Sequence, residues 1–136
     1  MLELARACTP YTRLRRDLKD CRVALVSTSG VYAAGMQPYG ENDLTFHRIP
    51  DETETHLLHF VPGHFDTSKA AVDPNILFPL DRLHDLVAAG EIAKMTDFHI
   101  AMGLTTQLRK LKEEVSWDIA DTISKERPDV VVLTGG

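Results

Sequence analysis

Arg22-Val23-Ala24-Leu25-Val26-Ser27, running into Thr28-Ser29-Gly30, is the stretch that decides the fold. Consecutive apolar residues closed by a hydroxyl-rich turn ending in glycine are the pattern of a strand covered on both faces, with a polar loop at its carboxyl end. In open α/β sheets ligands sit at that end. The pattern recurs at Val130-Val131-Val132-Leu133-Thr134-Gly135-Gly136, which predicts a second buried strand, flanked by helices, entering a glycine turn. Natural termini tend instead to be polar and loosely held. The fold is therefore expected to be incomplete at its carboxyl end.

Between these runs the chain alternates. Leu80, Leu83, Leu86 and Val87 place apolar residues on one helical face, with Pro79 suited to its start and Gly90 to its end. Phe98 to Met102 reads as a strand ending at Gly103. Leu108, Leu111, Val115, Ile119 and Ile123 then recur at helical spacing from Thr105 to Arg127, with Arg109, Lys110, Glu113 and Glu114 on the wet face and Pro128 as the stop. Strand, helix, strand order predicts parallel pairing with right-handed crossovers. The expectation is one α/β domain over residues 22–136, a three-layer Rossmann-like arrangement with a mainly parallel sheet. Residues 1–21 read as an N-terminal arm in which Pro10 breaks any helix and Leu14 and Leu18 pack an i, i+4 stripe onto the body. Residues 31–56, with Gly35, Pro38, Gly40 and Pro50, read as an irregular excursion rather than a helix. Loops of that length are usually functional or disordered.

The chain has 136 residues, 43% of them apolar, and a net charge of −5. That length suits one core. A nucleic-acid partner is not expected, because phosphate binding needs a basic stripe and Asp17 and Asp20 dilute the one cluster, Arg13 to Lys19. No run reaches the roughly 18 apolar residues of a membrane span, and no signal peptide precedes the first strand. A cytoplasmic protein is expected. Cys8 and Cys21 match no zinc or redox spacing and read as free thiols.

Three constellations can carry chemistry. Ser27, Thr28, Ser29 and Gly30 offer hydroxyls and backbone N–H groups for a carboxylate or phosphate, but lack a phosphate-loop lysine and the full dinucleotide glycine pattern. They read equally as an ordinary strand-end turn. His56, His59, His64 and Asp66 supply imidazole and carboxylate, yet their spacing matches no standard metal site, so surface or hydrogen-bonded histidines are the expectation. Asp81 and Arg82 enter a first helical turn, where the helix dipole alone favours Asp81 and Arg82 either clamps a substrate carboxylate or forms a surface salt bridge. No Ser/His/Asp triad or catalytic cysteine can be assembled, since both cysteines precede the first strand.

Four blocks read together are more specific than any one: Val23-Ala24-Leu25-Val26-Ser27-Thr28-Ser29-Gly30-Val31-Tyr32, Thr45-Phe46-His47-Arg48-Ile49-Pro50, His64-Phe65-Asp66-Thr67-Ser68 and Asp73-Pro74-Asn75-Ile76-Leu77-Phe78-Pro79-Leu80-Asp81-Arg82-Leu83. In this order, and with the likeness running from Pro10 to Gly136, the chain resembles the selenoprotein B family of glycine, sarcosine, betaine and D-proline reductases. The branch it is most similar to holds the small selenocysteine subunit of D-proline reductase.

The resemblance implies that the final strand leads into a Sec-x-x-Cys or Cys-x-x-Cys motif just after Gly136. Selenocysteine at position 137, encoded by UGA, is preferred over a deliberate truncation or a natural split subunit; an in-frame UGA in the gene decides. The implied reaction is reductive cleavage of a C–N bond in an amino acid such as D-proline, glycine or betaine. A pyruvoyl group on a partner subunit would activate the substrate, a selenolate would attack the α-carbon, a second thiol would resolve the adduct, and an external dithiol would restore both.

These 136 residues hold none of those groups, so the chain alone is expected to bind no cofactor, to carry no catalytic residue and to be inactive, working within an oligomer. Ser27, Thr28, Ser29 and Gly30 are expected to line the site and Thr134, Gly135 and Gly136 to approach the redox motif. Arg48, His64, Asp66, Asp81 and Arg82 are the further substrate-binding candidates, resting on motif matches alone. A non-redox ligand-binding or assembly domain of the same fold stays open, as does a family member with another substrate.

Overall fold

The computed structural model describes residues 12–61 and 67–135. Among the described residues seven strands run β1 Arg22–Ser27, β2 Val31–Ala33, β3 Phe46–Pro50, β4 Leu58–Phe60, β5 Lys94–Met95, β6 Phe98–Met102 and β7 Val130–Thr134. The helices are α1 Ser68–Val72, α2 Leu80–Ala88, α3 Leu108–Lys110 and α4 Ser116–Ser124, the last two joined by a π turn over Leu111–Val115. β1 is central. β7 pairs with it in parallel from Val23↔Val130 to Ser27↔Thr134, while β5 takes the start of its other edge and β6 the end, both parallel. β3 closes the far side, antiparallel to β6. The expected α/β class with a mostly parallel sheet holds.

The two sides of the sheet follow from the alternation of side chains along β1. Val23 and Leu25 join Leu80, Leu83, Phe78 and Ile92 on the face covered by α2. Ala24 and Val26 meet Ile100, Ile119 and Ile123 on the face covered by α4. Leu25, Phe78 and Leu80 are fully buried, which stabilises by about 1.5–3 kcal/mol each. From β1 the chain passes over the α2 face to reach β6, and from β6 it returns over the α4 face to β7. Opposite travel over opposite faces is what a common crossover hand requires.

Helix α2 follows Pro79 as its N-cap and ends before Gly90, whose φ of +73° is the left-handed cap that glycine accepts. Helix α4 stops short of Pro128, and Arg127 takes a φ of +51° in the turn to β7.

Several expectations change. The excursion is not wholly irregular, since β2 pairs with β4 in a small antiparallel sheet and β3 joins the main one. Leu14 and Leu18 are 41% and 49% exposed rather than packed. The stripe expected on the last helix buries only from Val115 onward, and Leu108 is exposed. β7 is not covered on both faces, for Val131 and Leu133 stand open while Val130 and Val132 lean on the α2-side core.

Candidate functional site

The carboxyl ends of β6, β1 and β7 lie side by side. Gly30 N–H donates to Met102 O at 2.9 Å on one flank, and Thr28 N–H donates to Thr134 O at 3.1 Å on the other. Ser27 and Ser29 are buried, with their Oγ atoms 2.7 Å apart. Ser27 Oγ also accepts from Ser29 N–H at 3.2 Å. On the same α2-side face, Ser27 Oγ and Thr134 Oγ1 both donate to Leu77 O, at 3.4 and 3.0 Å. These hydroxyls seal the strand ends against the turn before α2. Thr28 is the exposed hydroxyl of the loop, and its Oγ1 lies 3.8 Å from where a Cβ on Gly135 would stand.

The sequence candidates therefore separate. Ser27, Thr28, Ser29, Gly30, Thr134 and Gly135 come together in one shelf. His64, Asp66 and Gly136 lie outside the described residues. Arg48 is exposed on the α4 side of β3, its guanidinium carbon 5.1 Å from the centre of the Phe98 ring. Asp81 accepts from Thr55 Oγ1 at 2.8 Å and Asn75 Nδ2 at 2.9 Å, while its own N–H donates to Asn75 Oδ1, so it closes the start of α2. Arg82 pairs with Asp85 at 3.1 Å on the surface. His56 pairs with Glu54, and His59 lies against Tyr32 across the small sheet. Among the described residues no group of three His, Cys, Asp or Glu side chains could hold a metal ion. Cys21 is buried and unbridged, its Sγ donating to Asp17 O. Burial, then Asp129, pushes that thiol above its ordinary value, which disfavours the thiolate.

Three groups escaped sequence reading. Tyr39, from the excursion, is buried over Gly103 and donates to Ala101 O at 2.7 Å. Burial pushes its phenol above the ordinary value. A Cβ on Gly103 would stand 2.9 Å from Tyr39 Cβ, so only glycine admits the ring there. Asn42, at a φ of +54°, accepts from both the N–H and the hydroxyl of Thr106 at the turn after β6.

The third is a His–Asp–His cluster at the opposite, amino end of the sheet. Between β5 and β6 the pairing with β1 slips, from Val23↔Met95 to Val26↔Ile100. The fully buried His99 fills the gap, its Nδ1 accepting from Leu25 N–H at 3.1 Å. That bond puts the ring proton on Nε2, which donates to Asp51 Oδ1 at 2.9 Å, and His84 Nε2 meets the same oxygen at 2.8 Å. Burial alone would raise the Asp51 pKa, but the hydrogen bonds from His99 and His84 outweigh it and hold the carboxyl below its usual range. A metal on His99 Nε2 would need the proton on Nδ1, facing the Leu25 N–H. The cluster therefore ties β3, α2 and β6 together and is no metal ligand set.

The fold is a mostly parallel α/β sheet with a hydroxyl shelf at the carboxyl ends of β1 and β7, the end at which open α/β sheets generally meet ligands. The profile of the glycine/sarcosine/betaine reductase selenoprotein B family matches residues 7–136, and the chain belongs to that family. It is 30% identical over 128 residues to the D-proline reductase subunit gamma of Acetoanaerobium sticklandii, covering 93% of this chain and 53% of that relative. The chain thus spans about half the length of the curated relative it matches. No solved structure matches it. No helix among the described residues is long and apolar enough to cross a membrane.

Proposed function

We propose that the chain is the scaffold part of a selenoprotein-B-type reductase subunit, and that its shelf positions a selenocysteine or cysteine carried by polypeptide following Gly136. The reaction would be reductive C–N cleavage of an amino acid such as D-proline, glycine or betaine. Two electrons from a dithiol would go to the carbon–nitrogen bond, one proton ending on each of its atoms and the dithiol becoming a disulfide. A pyruvoyl group on a partner subunit would supply substrate activation.

One observation carries the reading: β1 and β7 end in register and set Gly135 beside the exposed Thr28, whose Oγ1 lies 3.8 Å from where a Cβ on Gly135 would stand. Among the described residues the hydrogen bonds of the shelf run between hydroxyls and main-chain groups, with no carboxylate among them. A selenolate or thiolate held there meets no like charge in that network. Thr28 Oγ1 can donate a hydrogen bond to it or to a substrate carboxylate. Ser27, Ser29 and Thr134 would act through Thr28 and Gly135, by holding the two strand ends together.

The test is expression of the gene under selenium-inserting conditions, an intact mass of the product, and assay with D-proline, glycine and betaine beside partner subunits and a dithiol. Ring opening of D-proline to a linear amino acid, or release of ammonia from glycine or of the tertiary amine from betaine, lost when the residue after Gly136 is changed to Ala, is expected. A product of the same mass without selenium, inactive on all three, sinks the proposal and leaves a non-redox binding or assembly domain.

A further inference from the structure

β7 is an edge that nothing among the described residues covers. It pairs with β1 alone. Its five residues, Val130 to Thr134, contain no charge and no proline, the devices by which natural edge strands avoid accidental pairing. Its two sides differ. Val130 and Val132 pack against the α2-side core, whereas Val131 is 39% and Leu133 is 75% exposed. Parallel register puts Val131 beside Ala24 and Leu133 beside Val26, on the α4 face. Helix α4 covers that face at β1 and β6 through Ile119 and Ile123 and leaves β7 bare.

Crossover hand says what fits. The passage from β6 across β1 to β7 runs over the α4 face. A further strand on the outer side of β7 lies in the same direction of travel, so a crossover of the same hand places its helix over the α4 face again. That is the face on which Val131 and Leu133 stand open. The backbone edge and the apolar side chains thus call for one object, a helix followed by a parallel strand. The relative of Acetoanaerobium sticklandii has material of that size, since this chain covers only 53% of it.

We propose that the edge of β7, with Val131 and Leu133, is the docking surface for a helix–strand unit, equivalent to a segment of the reductase subunit that this chain does not span. The strand extends the sheet beside β7 and the helix covers Val131 and Leu133. The proposal rests on family membership and not on the redox reading, and its test reads no activity.

The 136-residue chain is mixed with the separately expressed remaining part of the Acetoanaerobium sticklandii D-proline reductase subunit gamma. Sedimentation velocity and hydrogen exchange are followed. A one-to-one complex with slowed exchange over Val130–Thr134 is expected. Leu133→Asp should weaken it by at least about tenfold, while Leu108→Asp, also exposed but on α3, changes it by less than about twofold. Both variants should keep the circular dichroism of the parent, because both positions are solvent-facing. Absence of a complex, or one indifferent to Leu133→Asp, overturns the proposal. So does a homodimer of this chain with protected β7 amides that Leu133→Asp dissociates, which would make a second copy the occupant.

Discussion

The two ends of β1 are built from opposite chemistry. At its amino end Arg22 donates five hydrogen bonds: its N–H to Asp129, and its guanidinium to Met95 O, Glu126 O, Asp97 and the Glu126 carboxylate. The His99–Asp51–His84 cluster stands at the same end. At the carboxyl end the network contains hydroxyls, carbonyls and glycines. Among the described residues charge is concentrated where the turns into β6 and β7 must be closed, and the shelf's hydrogen bonds include none. The amino end should therefore govern stability and the carboxyl end function.

The largest test of that division is Arg22→Met. Glu126, 16% exposed, would keep its charge without its partner, at a cost of about 3 kcal/mol. Urea unfolding should show the loss, and Arg22→Lys should recover little of it, because an ammonium cannot reproduce the planar fork. Next, His99→Leu strands the Leu25 N–H and removes a donor from Asp51. A loss of about 2 kcal/mol is expected, with faster hydrogen exchange at Leu25. If both variants unfold like the parent, the amino end is not the anchor.

A smaller contrast sharpens the other end. Ser27→Ala removes a buried hydroxyl partner of Ser29 and should cost about 1 kcal/mol. Thr28→Ala should leave the urea midpoint within about 0.5 kcal/mol, yet lower the turnover of the assembled reductase. The reverse pattern would remove Thr28 from the site.

The smallest effect is in pH. Asp51 has a folded pKa below its unfolded one, so the unfolded chain binds more protons as pH falls through the ordinary carboxylate range. Its stabilisation is full above about pH 4 and disappears as pH drops through the lower, folded value. Asp51→Asn should flatten that part of the acid limb in a urea midpoint series. An unchanged slope would mean the two imidazoles do not stabilise the carboxylate.

Much of the scaffold is legible in the residues themselves. β1, β6 and α2 follow from apolar runs, interrupted in β6 by His99, and from helical spacing, with Pro79 and Gly90 as punctuation. β3 is hidden because Phe46-His47-Arg48-Ile49-Pro50 alternates weakly and ends in proline; its pairing is made by β6, not by local preference. The π turn had a signal that is easy to pass over. Leu111, Val115, Ile119 and Ile123 recur at steps of four, each step turning an α-helix about 40° too far, and one wider turn absorbs part of the drift. Of the site, the meeting of Ser27–Gly30 with Thr134 follows from two strands ending in hydroxyls. The Leu77 carbonyl that joins them has no side-chain signature, and neither does the slip between β5 and β6 that makes room for His99.

Tyr39 has a consequence for how the end of β6 is closed. Its ring lies on Gly103, just past β6, and its centre is 4.7 Å from that of His47 on β3. The segment after β2 is thereby pinned over the β3 side of β6 by one hydrogen bond and one ring contact, both dependent on the missing side chain at 103. Gly103 therefore works as a latch for that segment, and any Cβ there would push it off the sheet end.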